Sequence, residues 1–415
     1  MTAGRGPGAP AGAGTGTPSA RVALPGDGTP LRPSPALARW RAAGGATPLH
    51  YTDGHEGLVV TSDELARAVL EDPRFSIAVQ RTPAQPPGSP DAWSAHPPLT
   101  GPPLDEAARE SERSGLLSLD GSEHARLRRA VAATLALKKV RARRPEVAQT
   151  VTTVLDAFVA EGSPNDLWTR FARPIAARTH CRVLGVPPAW DEEWGGLFVD
   201  AATQQARYDF IRRLVDLKAD HPGEDVTSGL LANPEVTRTE LEGLLLMLMM
   251  SGRDSVAYMI TTAAVALLTH PDQLARLTAD PGLVPAAVEE VVRAGSMFLT
   301  LFPRTALEDV EVAGCPVRAG TTVSVSPVGA NRDPLRWERP EELDTGRDAF
   351  GHLGFSHGIH GCIGQQLARI EITVALTQLL ARLPGLTLVS AEQLEPLPFA
   401  HPVATYEAGH TWVAW

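Results

Sequence analysis

The sequence predicts a mainly α protein with small β-sheets. Three observations lead there. Helical periodicity fills most of the chain between residues 121 and 293, and returns from 365 to 383. β-prone runs are short and confined to residues 49–62, 304–326 and the carboxy end. Hydrophobic residues make up 43% of 415 and charged residues 21%, a balance that supports a large buried core. Residues 21–415 read as a single domain, because no linker-like stretch divides them and no internal repeat is visible. Residues 1–20 (MTAGRGPGAPAGAGTGTPSA) read as a disordered tail, since Gly, Pro, Ala and Thr bury little apolar surface.

Each element has a local reason. LHYTDGHEGLVVTS, residues 49–62, places β-prone residues on both sides of Asp53-Gly54 and predicts a hairpin. Asp63 to Leu70 opens a short helix. Residues 82–113 carry so many prolines that regular structure is not expected. Gly121 to Phe171 is helical. Residues 187–281 continue mostly helical, with breaks at Pro222-Gly223 and Asn233-Pro234. A long apolar helix is predicted from about Thr237 to Thr269, and another from Leu283 to Arg293. A glycine-rich loop at 351–364 precedes a last helix, Gln365 to Leu383, and the short strands LTLVS and TWVAW close the chain.

Composition excludes several classes. Cys181, Cys315 and Cys362 are too few and too far apart for a disulfide scaffold, and suit a reducing compartment. A net charge of −10 argues against a chain-wide nucleic-acid surface. The richest apolar run, Leu244 to Met250, falls far short of the ~20 residues of a membrane span. No apolar signal core opens the chain, so a soluble, cytoplasmic protein with no membrane or nucleic-acid partner is expected. Only Lys138, Lys139 and Lys218 are lysines, so arginine supplies the other basic residues. This bias, with abundant Ala, Gly and Pro, hints at a GC-rich bacterial genome.

The segment Phe355-Ser356-His357-Gly358-Ile359-His360-Gly361-Cys362-Ile363-Gly364 carries the most chemistry. Cys362 lies just before a predicted helix N-terminus, where partial positive charge favours a thiolate. The flanking glycines let backbone approach something flat and bulky. Ringed by Phe355, Ile359 and Ile363, such a sulfur suits an axial haem ligand. Residue chemistry alone leaves two other readings open. His352, His357, His360 and Cys362 could bind zinc, although paired zinc spacing is absent. A buried free cysteine is the third.

The segment resembles the haem-binding loop of the cytochrome P450 family. Phe355, Ser356, Gly358, His360, Cys362 and Gly364 fill that pattern, with Ser356 where Gly is commoner. Further segments follow in the family's order across residues 30–415. Glu290-Val291-Val292-Arg293 resembles the family's structural ion pair, its two charges on one helix face. His124 and Arg128, one turn apart, resemble the pair that holds a haem propionate, and Arg304 resembles a further propionate-binding arginine. Asn331-Arg332-Asp333-Pro334 is also familial. Ser251-Gly252-Arg253-Asp254-Ser255-Val256 resembles the helix over the oxygen site. There Gly252 would leave room for O2, and Asp254 with Ser255 would carry protons. Ser255 stands where Thr is usual and Val256 where a second hydroxyl is, so a less fixed rotamer is expected.

The resemblance implies the cytochrome P450 fold, haem b with Cys362 on the iron, and O2 as oxidant. The implied reaction is hydroxylation of a C–H bond of a secondary metabolite, as in antibiotic biosynthesis. The alternative is oxidative coupling of aromatic rings without oxygen insertion. Electrons would come ultimately from NAD(P)H through a ferredoxin and ferredoxin reductase. Arg126, Arg129, Lys138, Lys139, Arg141, Arg143 and Arg144 form a basic cluster suited to an acidic donor, or else a solvated helix face. Family pocket positions correspond to the 82–113 loop, the segment near 198–212, Met247 to Met250, Met297, Phe298 and Leu299, and the loop near Phe399 to Thr405. A short interval between Pro187 and Glu224 points to an open cavity and a large or peptide-like substrate. Trp93, Trp190 and Trp194 are candidates for stacking on an aromatic substrate, or for packing.

Overall fold

A computed structural model describes residues 22–51, 56–78, 104–198, 202–393 and 404–415. The expected tail, the Asp53-Gly54 turn, Trp93 and the segment 399–403 lie outside the described residues. Helix α1 (Pro35–Ala42) starts on the Ser34 side chain, which accepts the Ala36 amide. Strands β1 (Ala46–His50) and β2 (Glu56–Val60) then pair antiparallel, as the hairpin reading requires, with Ala46 opposite Val60. Helix α2 (Asp63–Glu71) and strand β3 (Phe75–Ser76) follow. The irregular reading of 82–113 fails at its end. There the Asp105 side chain caps the Ala108 amide and starts α3 (Glu106–Glu112) on an Ala/Glu run.

Gly121 to Phe171 is not one helical block. It divides into α4 (Gly121–Thr134), α5 (Leu137–Ala142) and α6 (Arg144–Ala160). Pro145 starts α6, Gly162 at φ +90° ends the run, and a short β4 (Asn165–Asp166) follows. A π-turn at Trp168–Ala172 leads into α7 (Arg173–Leu184). Then come α8 (Asp191–Gly196), α9 (Gln204–Asp220) and α10 (Val226–Leu231).

The long apolar helix begins where expected, on a capping box between Thr237 and Glu240. It breaks at Gly252 into α11 (Arg238–Ser251) and α12 (Arg253–Leu268). Arg238–Leu268 is the one segment, among the described residues, long and apolar enough to cross a membrane, and it is 67% buried inside the fold. Helices α13 (Pro271–Ala279) and α14 (Val284–Ala294) precede β5 (Phe298–Thr300), β6 (Arg304–Ala306), β7 (Val310–Val312), β8 (Cys315–Val317) and β9 (Thr322–Val325). After the short α15 (Pro327–Ala330) and a long irregular stretch comes α16 (Gln365–Arg382). The strands β10 (Thr387–Gln393), β11 (Ala404–Thr405) and β12 (Ala408–Ala414) finish the chain.

The largest sheet runs β1-β2-β9-β6-β3, with β2 and β9 parallel. The others are β10-β12-β4, β11-β5 and β7-β8. The main core wraps α12 with α6, α7, α14 and α16, through Ala257, Ile260, Phe171, Val291 and Leu376 among others. A second core joins α4, α9 and α11 through Leu127, Tyr208 and Leu244, and a third lies under the five-stranded sheet. Apolar burial on this scale, at about 25 cal/mol per Å2, holds the helices around the loop before α16.

Candidate active site

Two single turns, Leu353–Phe355 and Gly358–His360, shape the cysteine loop. Gly358 has φ +68°, and a Cβ there would sit 2.4 Å from the Leu70 carbonyl oxygen, so the C-terminus of α2 backs the loop directly. Ser356 also adopts a left-handed φ of +61°, which explains why Gly is commoner at this position. The Cys362 amide donates to the Phe355 carbonyl at 2.8 Å and closes the loop. Cys362 is exposed, so the loop presents its sulfur to open surface. Burial pushes its thiol up. The amides of Gly364 and Gln365 and the charges of Arg128 and Arg369 pull the other way without winning. The helix terminus therefore acts as expected but does not favour a thiolate by itself; a bound cation would have to complete the balance. Ile359 is half exposed and does not ring the sulfur, whereas Phe355 packs under the Arg369 guanidinium at 4.5 Å.

The histidines do not converge on Cys362. His352 faces Glu289, His357 pairs with Glu71, and His360 lies 3.3 Å from Asp120. No cluster of His, Cys, Asp and Glu suited to a metal occurs among the described residues. This removes the zinc reading.

A cationic shelf stands beside the sulfur instead. His124 stacks on His360 with ring centroids 4.0 Å apart, and its Nε2 is buried without a hydrogen-bond partner. Burial, then His360 and Arg128, hold His124 down to about 4, so it is neutral. Arg128 donates to the Gly361 carbonyl at 2.6 Å. Arg304 is buried and, among the described residues, donates only to the backbone carbonyls of Phe302 and Pro303, and burial lowers it to about 10. Neither arginine has an ion-pair partner among the described residues. The one carboxylate present, Asp120, feels burial pushing it up, but hydrogen bonds from His360, Ser76 and the amides of Ala78 and Ile77 hold it well below the usual range. Two arginines without an ion-pair partner among the described residues and an orphaned imidazole nitrogen, beside an accessible sulfur, fit a flat iron ligand bearing carboxylates.

On its Cβ side Gly252 gives room to a histidine. A Cβ there would sit 2.3 Å from the ring of His180, which occupies that space from α7. Asp254 is half exposed and pairs with Arg253 at 2.9 Å. The Ser255 hydroxyl donates to the Ser251 carbonyl at 2.8 Å, so its rotamer is fixed by the helix even without the Thr methyl. Met247 and Met250 are half-buried beside the second core, and Met297 beside the main one. Phe298 rests near Phe302, with ring centroids 6.2 Å apart. Leu299 is fully buried in the main core and Thr300 beside it is buried as well, so Leu299 does not line an open pocket. Trp194 is 2% exposed among His180, Phe198 and Phe210, and Trp190 packs under Arg213, so both are packing groups.

Glu290 and Arg293 are fully buried and joined by two bonds of 2.7 and 2.8 Å. Arg126 and Arg143 are committed to Glu123, Glu240 and Glu146, which leaves Arg129, Lys138, Lys139, Arg141 and Arg144 as the exposed basic face.

Sequence reasoning missed His180, Asp120 and Glu371. Glu371 is a lone acid among apolar neighbours of α16, which is a usable signal. It is 3% exposed, and burial raises its carboxyl well above the usual value, opposed by Thr179. A raised acid contributes stability that is complete below about pH 4.3 and is lost as pH rises through its folded value. Glu371→Gln is therefore expected to gain stability over the native chain between pH 4 and 7, read as a growing difference in urea midpoint. Parallel pH profiles would show that Glu371 is not strained.

The fold and this site define a haem-dependent oxidoreductase. The family model "Cytochrome P450" matches residues 282–394. The chain is 38% identical to cytochrome P450 105C1 of a Streptomyces species, over 88% of this chain and 91% of that protein. It is 34% identical to mycinamicin IV hydroxylase/epoxidase of Micromonospora griseorubida, over 81% and 84%. The crystal structure of CYP105P1 in complex with filipin I superposes with a TM-score of 0.81 at 30% identity, covering 95% of this chain and 99% of that one. The chain belongs to the cytochrome P450 family, whose members use haem iron and O2 and act as monooxygenases.

Proposed function

We propose that this P450 hydroxylates a C–H bond of a bulky natural product. The observation that carries the reading is the accessible Cys362 sulfur beside the shelf of His124, Arg128, Arg304 and His360. Cys362 binds the iron, and the arginines and histidines hold the carboxylates of haem b; Phe355, Gly358 and Gly364 shape the cradle. When bound, the haem supplies oxygen activation. The chain orients the substrate against Met250 and Met297 and excludes water. Asp254, released from Arg253, and the Ser255 hydroxyl hold and move protons toward the oxygen site. A hydroxylase/epoxidase among the relatives supports oxygen insertion over ring coupling. Product mass tests the reading: a gain of about 16 Da supports it, and a loss of about 2 Da overturns it.

Asp254→Asn is expected to lower product formed per electron by about tenfold or more, the balance appearing as hydrogen peroxide. Unchanged coupling would remove Asp254 from proton delivery. Electrons are proposed to come from NAD(P)H by way of a ferredoxin reductase and an acidic ferredoxin, with the protein working in the cytoplasm. The exposed face of Arg129, Lys138, Lys139, Arg141 and Arg144 suits that donor. The second-order reduction rate should fall by about tenfold between 50 and 500 mM salt. A salt-independent rate would place docking elsewhere.

A further inference from the structure

The break between α11 and α12 is held from outside the helix. In a continuous helix the Leu248 carbonyl would serve the amide of residue 252. Here it accepts the His180 Nε2 hydrogen at 2.7 Å and the Ser251 hydroxyl at 3.2 Å. Three residues on, the Ser251 carbonyl accepts the Ser255 hydroxyl. A carbonyl only accepts, so His180 must carry its proton on Nε2. His180 is 8% exposed, and burial holds it down to about 4, so a neutral ring makes this bond at working pH. The ring fits only because residue 252 has no side chain: a Cβ would lie 2.3 Å from Cε1 and 2.4 Å from Nδ1. Trp194 of α8 lies beyond the ring, with centroids 6.0 Å apart.

We propose that His180 is a positioning residue for proton delivery. Its Nε2 bond to Leu248 fixes the opening of the helix and thereby the places of Asp254 and Ser255, which start within two residues of Gly252. The inference rests on the proton role proposed for those two residues. His180 touches neither substrate nor cofactor; it acts through the Leu248 carbonyl. Gly252 is the other half of the device, since glycine admits the ring.

The test compares haem-loaded wild type, His180→Leu, which removes the donor, and His180→Gln, which restores one. Two readouts are taken: amide hydrogen exchange of the peptide 244–256, with the peptide 365–382 as control, and product formed per electron. His180→Leu is expected to exchange about tenfold faster in 244–256 alone and to lose coupling by about threefold or more, with half-saturating substrate within about twofold. His180→Gln should recover most of both. Unchanged exchange and coupling in His180→Leu would overturn the proposal, as would a His180→Gln protein as impaired as His180→Leu. If His180→Leu does not fold, Gly252→Ala carries the test. It should show the same paired defects, smaller when combined with His180→Gln, and a fully coupled Gly252→Ala protein overturns the proposal. A reduced, CO-bound band at about 450 nm in every variant keeps the P450 reading intact whatever the fate of His180.

Discussion

Alanine at position 362 is expected to abolish the band at about 450 nm of the reduced, CO-bound protein and to cut turnover by about a thousandfold or more. The loop itself should survive. The bond that closes it runs from the residue 362 amide to the Phe355 carbonyl, and alanine keeps that amide. The cationic shelf of His124, Arg128, Arg304 and His360 is also untouched, so the variant should still take up haem, with an absorption spectrum of nitrogen or water ligation. A variant that kept the band would overturn the ligand assignment.

The second large effect belongs to Arg293. Beyond its paired bonds to Glu290, its guanidinium donates to the carbonyls of Asn331 at 2.7 Å, Pro340 at 2.9 Å and Glu342 at 3.1 Å. Glu290 in turn accepts the Asp344 amide at 2.9 Å and Arg347 Nε at 3.2 Å. The pair thus ties α14 to the irregular stretch that leads into the cysteine loop. Arg293→Ala leaves a fully buried carboxylate with only Arg347 as counter-charge and several carbonyls without their donor, and should destabilise the protein by about 3–5 kcal/mol. Arg293→Lys should rescue little, since a point charge cannot replace a planar fork. Urea unfolding of the haem-loaded proteins checks both. A loss under about 1 kcal/mol would mean the pair is as weak as an exposed one.

The cysteine loop was legible because its chemistry is local: Phe355, Gly358, His360, Cys362 and Gly364 sit within one turn-rich segment. Glu290 and Arg293 were legible because three residues on a helix is one face. What lay hidden depends on distant partners. The packing of His180 against Gly252 is invisible in the sequence because the histidine comes from another helix. Leu299 reads as a pocket residue until its strand pairs with β11 and its side chain is closed into the main core. The two-residue strands β3, β4 and β11 exist only through their partners, so no local pattern marks them. Helix α3 was masked by the prolines before it, although Asp105 is an ordinary helix cap.

The break at Gly252 falls on a seam between two cores. The buried side chains of α11 belong to the core shared with α4 and α9, whereas those of α12 belong to the core shared with α14 and α16. Cores loosen as cooperative units. The helix therefore joins two such units, and Ile363 and Leu367, next to the sulfur, tie the start of α16 to the one built on α9 and α11.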